Sequence, residues 1–71
     1  MVTLLHTTNP VRLSFVQALL RDAGIHVEVF DANISALGAG IGASPRRLMV
    51  DRARWLTAKT ILTDAGEFYD D

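Results

Sequence analysis

Three short stretches of the chain predict β-strands: apolar and polar residues alternate along two of them, and the third has two arginines followed by three apolar residues. The stretches are Val2–Thr7, residues 25–30 and Arg46–Val50. In the first stretch Leu4 and Leu5 are adjacent, so the alternation is broken there. Because neighbouring side chains in a strand point to opposite faces, the sequence does not decide which leucine faces the core.

The second stretch separates its side chains into two faces. Val27 and its apolar neighbours at positions 25 and 29 share the face expected to pack on helices, while His26, Glu28 and Phe30 share the other. An aromatic residue on the polar face indicates that this face is covered, either by another part of the chain or by another subunit.

The first of two predicted amphipathic helices covers about residues 10–23, where apolar residues recur at helical spacing. Asn9 is placed to cap its first N–H groups, and Gly24 is placed to end it in a left-handed conformation. Arg12 is expected to reach water at the margin of the apolar stripe. Phe15 is expected at the rim of the core, with an exposed contact as the alternative.

The second predicted helix covers about residues 52–65. Asp51 is expected to cap it and Gly66 to end it. Trp55 begins its apolar face and is expected in the core.

This order of elements, β-α-β-β-α, predicts a single α+β domain over residues 1–71. The expected fold is a ferredoxin-like sandwich, with a three-stranded mixed sheet and both helices on one face. The third strand lies between the first two, and the fourth strand is absent or a short stub. The first strand is thereby left at an edge. Either residues 68–69 fold back beside it, or a second copy pairs with it in a homodimer.

The segment from residue 31 to 45 is long for a connection between strands, which is typical of functional loops. Its glycines let backbone N–H groups converge, and the arginines that follow can hold a phosphate or carboxylate. A hairpin loop with solvated arginines remains the alternative. The candidate residues for binding a small anionic ligand or a protein partner are Asp31, Asn33, Gly40, Gly42, Arg46 and Arg47.

Composition narrows the chemistry further. The chain has 71 residues, no cysteine, two histidines and a formal net charge of −1. Disulfides and thiolate metal sites are excluded, and no metal or other cofactor is expected. The charge argues against a nucleic-acid or membrane-surface binder, and no apolar run is long enough to span a bilayer. We expect a cytoplasmic protein. No spacing typical of a catalytic triad, a zinc protease or paired acids is present, so no catalytic residue is assigned.

Four stretches and the glycine-bearing loop resemble one family of small bacterial proteins. They are TTNP at 7–10, the D-x-N-I-S turn at 31–35, PRRLMV at 45–50 and LTDAG at 62–66. Together they are similar to the family named putative prokaryotic signal-transducing proteins, whose function is unknown. The resemblance covers nearly the whole chain. It implies a ferredoxin-like fold of the PII-like type, and no established activity or cofactor. PII proteins are longer, with a uridylylated loop and a full last strand. Nucleotide binding is therefore not carried over to this chain, and a trimer is the alternative to a homodimer that the analogy with PII implies.

These observations favour a non-enzymatic regulatory module that binds a small ligand or a protein partner through residues 31–45 and the exposed sheet face. The alternatives are a purely structural homo-oligomerisation domain and a small enzyme acting on an anionic substrate near Arg46 and Arg47. The local basic charge of the second half and the acidic tail also suggest mutual attraction, within or between subunits.

Overall fold

The computed structural model describes residues 1–31 and 46–71. The elements are, in order, β1 (Val2–Thr7), α1 (Pro10–Asp22), β2 (Val27–Asp31), β3 (Arg46–Val50), a 3₁₀ turn (Arg52–Arg54) and α2 (Trp55–Asp64). This is the predicted α+β arrangement, with a three-stranded sheet and two helices.

The sheet has the strand order β1-β3-β2, so β3 is central and β1 lies at an edge, as predicted. Both neighbouring pairs are antiparallel. The predicted mixed sheet is wrong in this respect, and the sheet is antiparallel. The reason is that β1 and β2 run in the same direction but are separated by β3, so no parallel ladder forms.

The two adjacent leucines of β1 are both buried. A register shift against β3 falls between Thr3 and Leu5, which makes Leu4 the extra residue of a β-bulge. Leu4 and Leu5 consequently join the same core although they are neighbours in the strand. The bulge explains why the sequence did not decide which of the two leucines faces the core: both do.

Helix α1 begins and ends as its sequence predicts. The Asn9 side chain accepts hydrogen bonds from the N–H groups of Val11 and Arg12, at 2.9 and 3.2 Å. At the other end Gly24 has a φ of +79°. The N–H of Ile25 donates to the carbonyl of Leu20 at 2.9 Å, which completes a Schellman motif and directs the chain into β2.

Helix α2 begins later than predicted. Residues 52–54 form the 3₁₀ turn, and the α-helix starts at Trp55. The expected side-chain cap by Asp51 is absent; instead its carbonyl accepts the N–H of Arg54 at 2.8 Å. Gly66, with a φ of +72°, ends the helix, and the N–H of Glu67 donates to Leu62 O at 2.8 Å. This second Schellman motif sets the direction of the tail.

One core lies between the helices and the sheet. Its buried members are Leu4, Leu5, Leu13, Val16, Leu20, Ile25, Val27, Leu48, Val50, Ala58 and Leu62. Trp55 is half-buried and packs against this core, as expected. Phe15 is 49% exposed and so lies outside the predicted rim. The core therefore takes one face of the sheet and leaves the other to carry polar and aromatic side chains.

Candidate functional site

The face of the sheet opposite the core carries a group of exposed and half-buried side chains that we call the open face. Its members on β2, on the residue before it and on β3 are His26, Glu28, Phe30, Arg47 and Met49. Phe30 is 44% exposed. Strand alternation produces this face. Val27 on β2 and Leu48 on β3 turn into the core, so the residues next to each of them along its own strand turn outward.

Phe30 and Arg47 form one pair on the open face, next to the end of the β2–β3 ladder. They are register partners on neighbouring strands, and the guanidinium carbon of Arg47 lies 6.0 Å from the Phe30 ring centroid. This is the outer limit of a cation–π contact. The pair therefore presents an aromatic ring and a positive charge side by side.

A second polar pair lies beside it. His26 Nε2 is 2.6 Å from Glu28 Oε2. Both side chains are solvent-exposed, at 72% and 46%. An exposed pair of this kind contributes little to stability, so its residues are free to serve a contact surface.

The sequence-predicted site residues divide between surfaces. Arg46 and Arg47 are consecutive in β3, so they lie on opposite faces, and Arg47 alone shares a face with Phe30. Asp31 ends β2 as the register partner of Arg46. The remaining candidates, Asn33, Gly40 and Gly42, lie outside the described residues. Binding by this set stays a prediction.

A different polar site, which the sequence did not reveal, surrounds Arg12. Its side chain is only 5% exposed, against the expectation that it reaches water. Arg12 Nε donates to Glu67 Oε1 at 2.9 Å, and Nη1 donates to Asp71 Oδ1 at 3.1 Å. Nη2 donates to the carbonyl oxygens of Glu67 and Tyr69. We call these four residues the arginine clasp.

The aromatic ring of Tyr69 completes the clasp. The guanidinium carbon lies 3.7 Å from its centroid, which is a close cation–π stack. Burial of an arginine is tolerated when its donors are satisfied by charged and carbonyl acceptors. Here the acceptors all come from the tail, residues 67–71, so burial of Arg12 and docking of the tail depend on each other.

The tail is not a strand, since the Tyr69 N–H donates to the Glu67 carbonyl at 3.1 Å, and its side chains point to different neighbours. Glu67, Tyr69 and Asp71 turn toward Arg12, whereas the ring of Phe68 packs edge-on against Trp55 at 6.1 Å. Asp70 reaches β1 instead, as described below. Within the chain the acidic tail therefore contacts a basic group in α1. Its attraction to the basic start of the second half between subunits stays a prediction.

The electrostatics of the clasp act on Asp71. A hydrogen bond from the Thr7 side chain, the positive charge and hydrogen bond of Arg12, and a hydrogen bond from the Thr8 backbone lower the pKa of its carboxyl group below 3.8, and partial desolvation opposes them. A lowered pKa in the folded state means that the ionised carboxylate stabilises the fold. This contribution is complete above pH 3.8 and is lost as the pH falls through the lowered value.

We therefore expect Asp71→Asn to be less stable than the wild type at neutral pH, with a difference that shrinks as the pH falls below about 3.8. Urea unfolding of both proteins between pH 2 and 7 measures this. A stability difference that does not change with pH would contradict the assignment.

Two further properties limit the chemistry. The residues that the structure describes contain no group of three or more His, Cys, Asp or Glu side chains placed to hold a metal ion. Neither helix in that part of the chain combines the length and the apolar composition that crossing a membrane requires.

Comparison with known proteins gives one match. A family model described as "Putative prokaryotic signal transducing protein" matches residues 1–66. No curated protein and no solved structure matches the chain significantly. The match includes both strands of the open face and Arg12, and it ends at Gly66, before the tail.

Proposed function

Because the chain belongs to the family described as "Putative prokaryotic signal transducing protein", we propose that it is a small, non-enzymatic regulatory module that binds a protein partner through the open face. The family description supports a signal-transducing type of module. The open face supplies the contact surface, and the observation that carries the proposal is the exposed Phe30 ring beside the Arg47 guanidinium.

The composition of this surface favours a protein partner. Aromatic and arginine side chains supply a large share of the binding energy in protein–protein contacts, especially at the centre of an interface. Phe30 offers apolar area and Arg47 offers planar donors, while the exposed His26 and Glu28 pair lies at the side as a polar rim. This arrangement has the anatomy of a small interface.

The antiparallel sheet gives the surface a rigid support. Phe30 and Arg47 are held on adjacent strands whose other faces contribute Val27, Leu48 and Val50 to the core. Side chains on such a frame lose little backbone freedom on binding. The sequence adds Asn33, Gly40 and Gly42 as expected contacts, since they follow Phe30 along the chain.

The experiment compares two exposed apolar residues on different surfaces. Phe30→Ala removes the exposed aromatic ring of the open face, and Leu56→Ala removes a side chain that is 68% exposed on α2. Immobilised wild type, Phe30→Ala and Leu56→Ala proteins are each incubated with lysate from the source cells. Captured proteins are quantified by mass spectrometry, and any that depend on Phe30 are purified for calorimetry.

We expect at least one captured protein to be lost with Phe30→Ala and retained with Leu56→Ala. The purified partner should bind Phe30→Ala at least about ten-fold more weakly, as expected for a central aromatic contact. Arg47→Ala should weaken the same partner. Equal capture by all three proteins, or equal affinity of Phe30→Ala and wild type, would contradict the proposal.

A further inference from the structure

Three backbone groups of the edge strand β1 form hydrogen bonds outside the sheet. The His6 N–H donates to Asp70 Oδ1 at 2.8 Å, and the His6 carbonyl accepts the N–H of Asp71 at 3.2 Å. The Thr3 carbonyl accepts the indole N–H of Trp55 at 3.0 Å. An edge strand left open invites pairing with another chain, and proteins commonly block such edges.

The tail that blocks His6 is held by the arginine clasp and by the Phe68 ring, which packs against Trp55 and the core. The Asp70 carboxylate accepts one hydrogen bond from the His6 N–H, and the Asp71 N–H donates one to the His6 carbonyl. Arg12 donates to Glu67, Tyr69 and Asp71. The tail follows Gly66, whose φ of +72° ends α2. We expect loss of the clasp to release both of the bonds to His6, because Asp70 lies between two clasp residues, Tyr69 and Asp71.

We propose that residues 67–71 guard the β1 edge and that a second copy of the chain pairs its own β1 there once the tail is displaced. The tail is then an autoinhibitory segment, and the homodimer predicted from the sequence is its open state. This inference is independent of the open face and of its partner.

The register of the pairing follows from His6. Both its N–H and its C=O point away from β3, toward the tail. In a two-fold antiparallel arrangement centred on this residue, two His6 residues exchange both hydrogen bonds. Leu5 then lies opposite Thr7 of the second copy, and both of these residues belong to the buried side of β1.

A cysteine at position 6 tests this register, because the chain has no native cysteine. Residues of a hydrogen-bonded antiparallel pair have Cα atoms about 5.5 Å apart, within the range of about 4.4–6.8 Å that a disulfide spans. His6→Cys is placed in a tail-released chain carrying Glu67→Gln, Tyr69→Ser and Asp71→Asn. The same cysteine in the otherwise wild-type chain is the reference. His26→Cys in the tail-released chain is the control, since that side chain is exposed but lies outside β1.

We expect oxidation to give at least ten-fold more covalent dimer from tail-released His6→Cys than from His6→Cys alone or from the His26→Cys control. Without any cysteine, the tail-released chain should sediment as a dimer at a concentration at which the wild type is mainly monomeric. Asp64→Asn, which removes a carboxylate from α2 outside the clasp, should sediment like the wild type.

Three results would overturn the proposal. One is a tail-released chain that is folded, has a mobile tail by ¹⁵N relaxation and remains monomeric. Another is cross-linking through position 26 as efficient as through position 6. The third is a wild type that cross-links through position 6 as readily as the tail-released chain. If the triple substitution unfolds the chain, Asp70→Ala with Asp71→Ala removes one contact to His6 and one to Arg12 and is judged by the same criteria.

Discussion

Arg12→Ala is expected to lower the free energy of unfolding by about 3 kcal/mol, the low end of the cost of removing one member of a buried ion pair. The low end applies because Glu67 and Asp71 are partly exposed, at 22% and 34%, and can turn to solvent when the arginine is gone. The cost arises from loss of the ion pairs, of the Tyr69 stack and of the ordered tail. Chemical denaturation followed by circular dichroism measures it.

Two controls separate charge from geometry. Arg12→Lys keeps the positive charge but cannot reproduce the planar fork that reaches several acceptors, so it should recover less than half of the loss. Arg21→Ala removes an exposed arginine from the last turn of the same helix and should change stability by less than about 0.5 kcal/mol. Arg12→Ala with the stability of Arg21→Ala would show that the clasp does not support the fold.

Trp55→Ala is expected to cost about 3 kcal/mol, the lower limit for removing a large aromatic side chain, because Trp55 is only half-buried. The indole packs on the core, meets Phe68 edge-on and donates to the Thr3 carbonyl. Lys59 Nζ lies 5.7 Å from its ring centroid. The substitution therefore removes packing and also exposes part of the β1 edge.

Trp55→Phe is the matched variant, since it keeps an aromatic ring and removes the indole donor. It should lose about 1 kcal/mol, the net value of a typical hydrogen bond. Thermal unfolding of the three proteins provides the comparison. Retention of the wild-type midpoint by Trp55→Ala would show that Trp55 is peripheral.

The local features of the fold could be predicted from the sequence because their causes are local. Asn9 caps α1, and both Gly24 and Gly66 adopt the positive φ that ends a helix. The central position of β3 also followed, since a short chain with this element order has few topologies.

Features that depend on contacts distant in sequence could not be read in the same way. Arg12 is 55 positions from Glu67, and nothing in the helical pattern indicates that an acidic tail returns to cover it. Its position four residues before the buried Val16 was the available signal, because residues spaced by four share a helix face. The bulge at Leu4 depends likewise on the register against β3.

The sequence predicted individual residues of the candidate sites but not the contacts between them. Phe30 was identified from strand alternation as an aromatic on the outer face, and Arg47 from the charge that follows the glycine-bearing segment. That these two residues are neighbours follows only from the register between β2 and β3, which the structure supplies. The covered edge has two components. The edge position of β1 was predicted from the sequence, whereas folding back of the tail was one of two alternatives.

Amide hydrogen exchange at His6 tests the central claim, that the tail held by Arg12 covers the β1 edge. The account predicts that the His6 N–H of the wild type exchanges at least roughly ten-fold more slowly than an unprotected amide, because Asp70 accepts its hydrogen bond. In Arg12→Ala this protection should be lost, while the amides within α1 that stay folded keep theirs. An unprotected His6 amide in the wild type, or equal protection in Arg12→Ala, would contradict the claim.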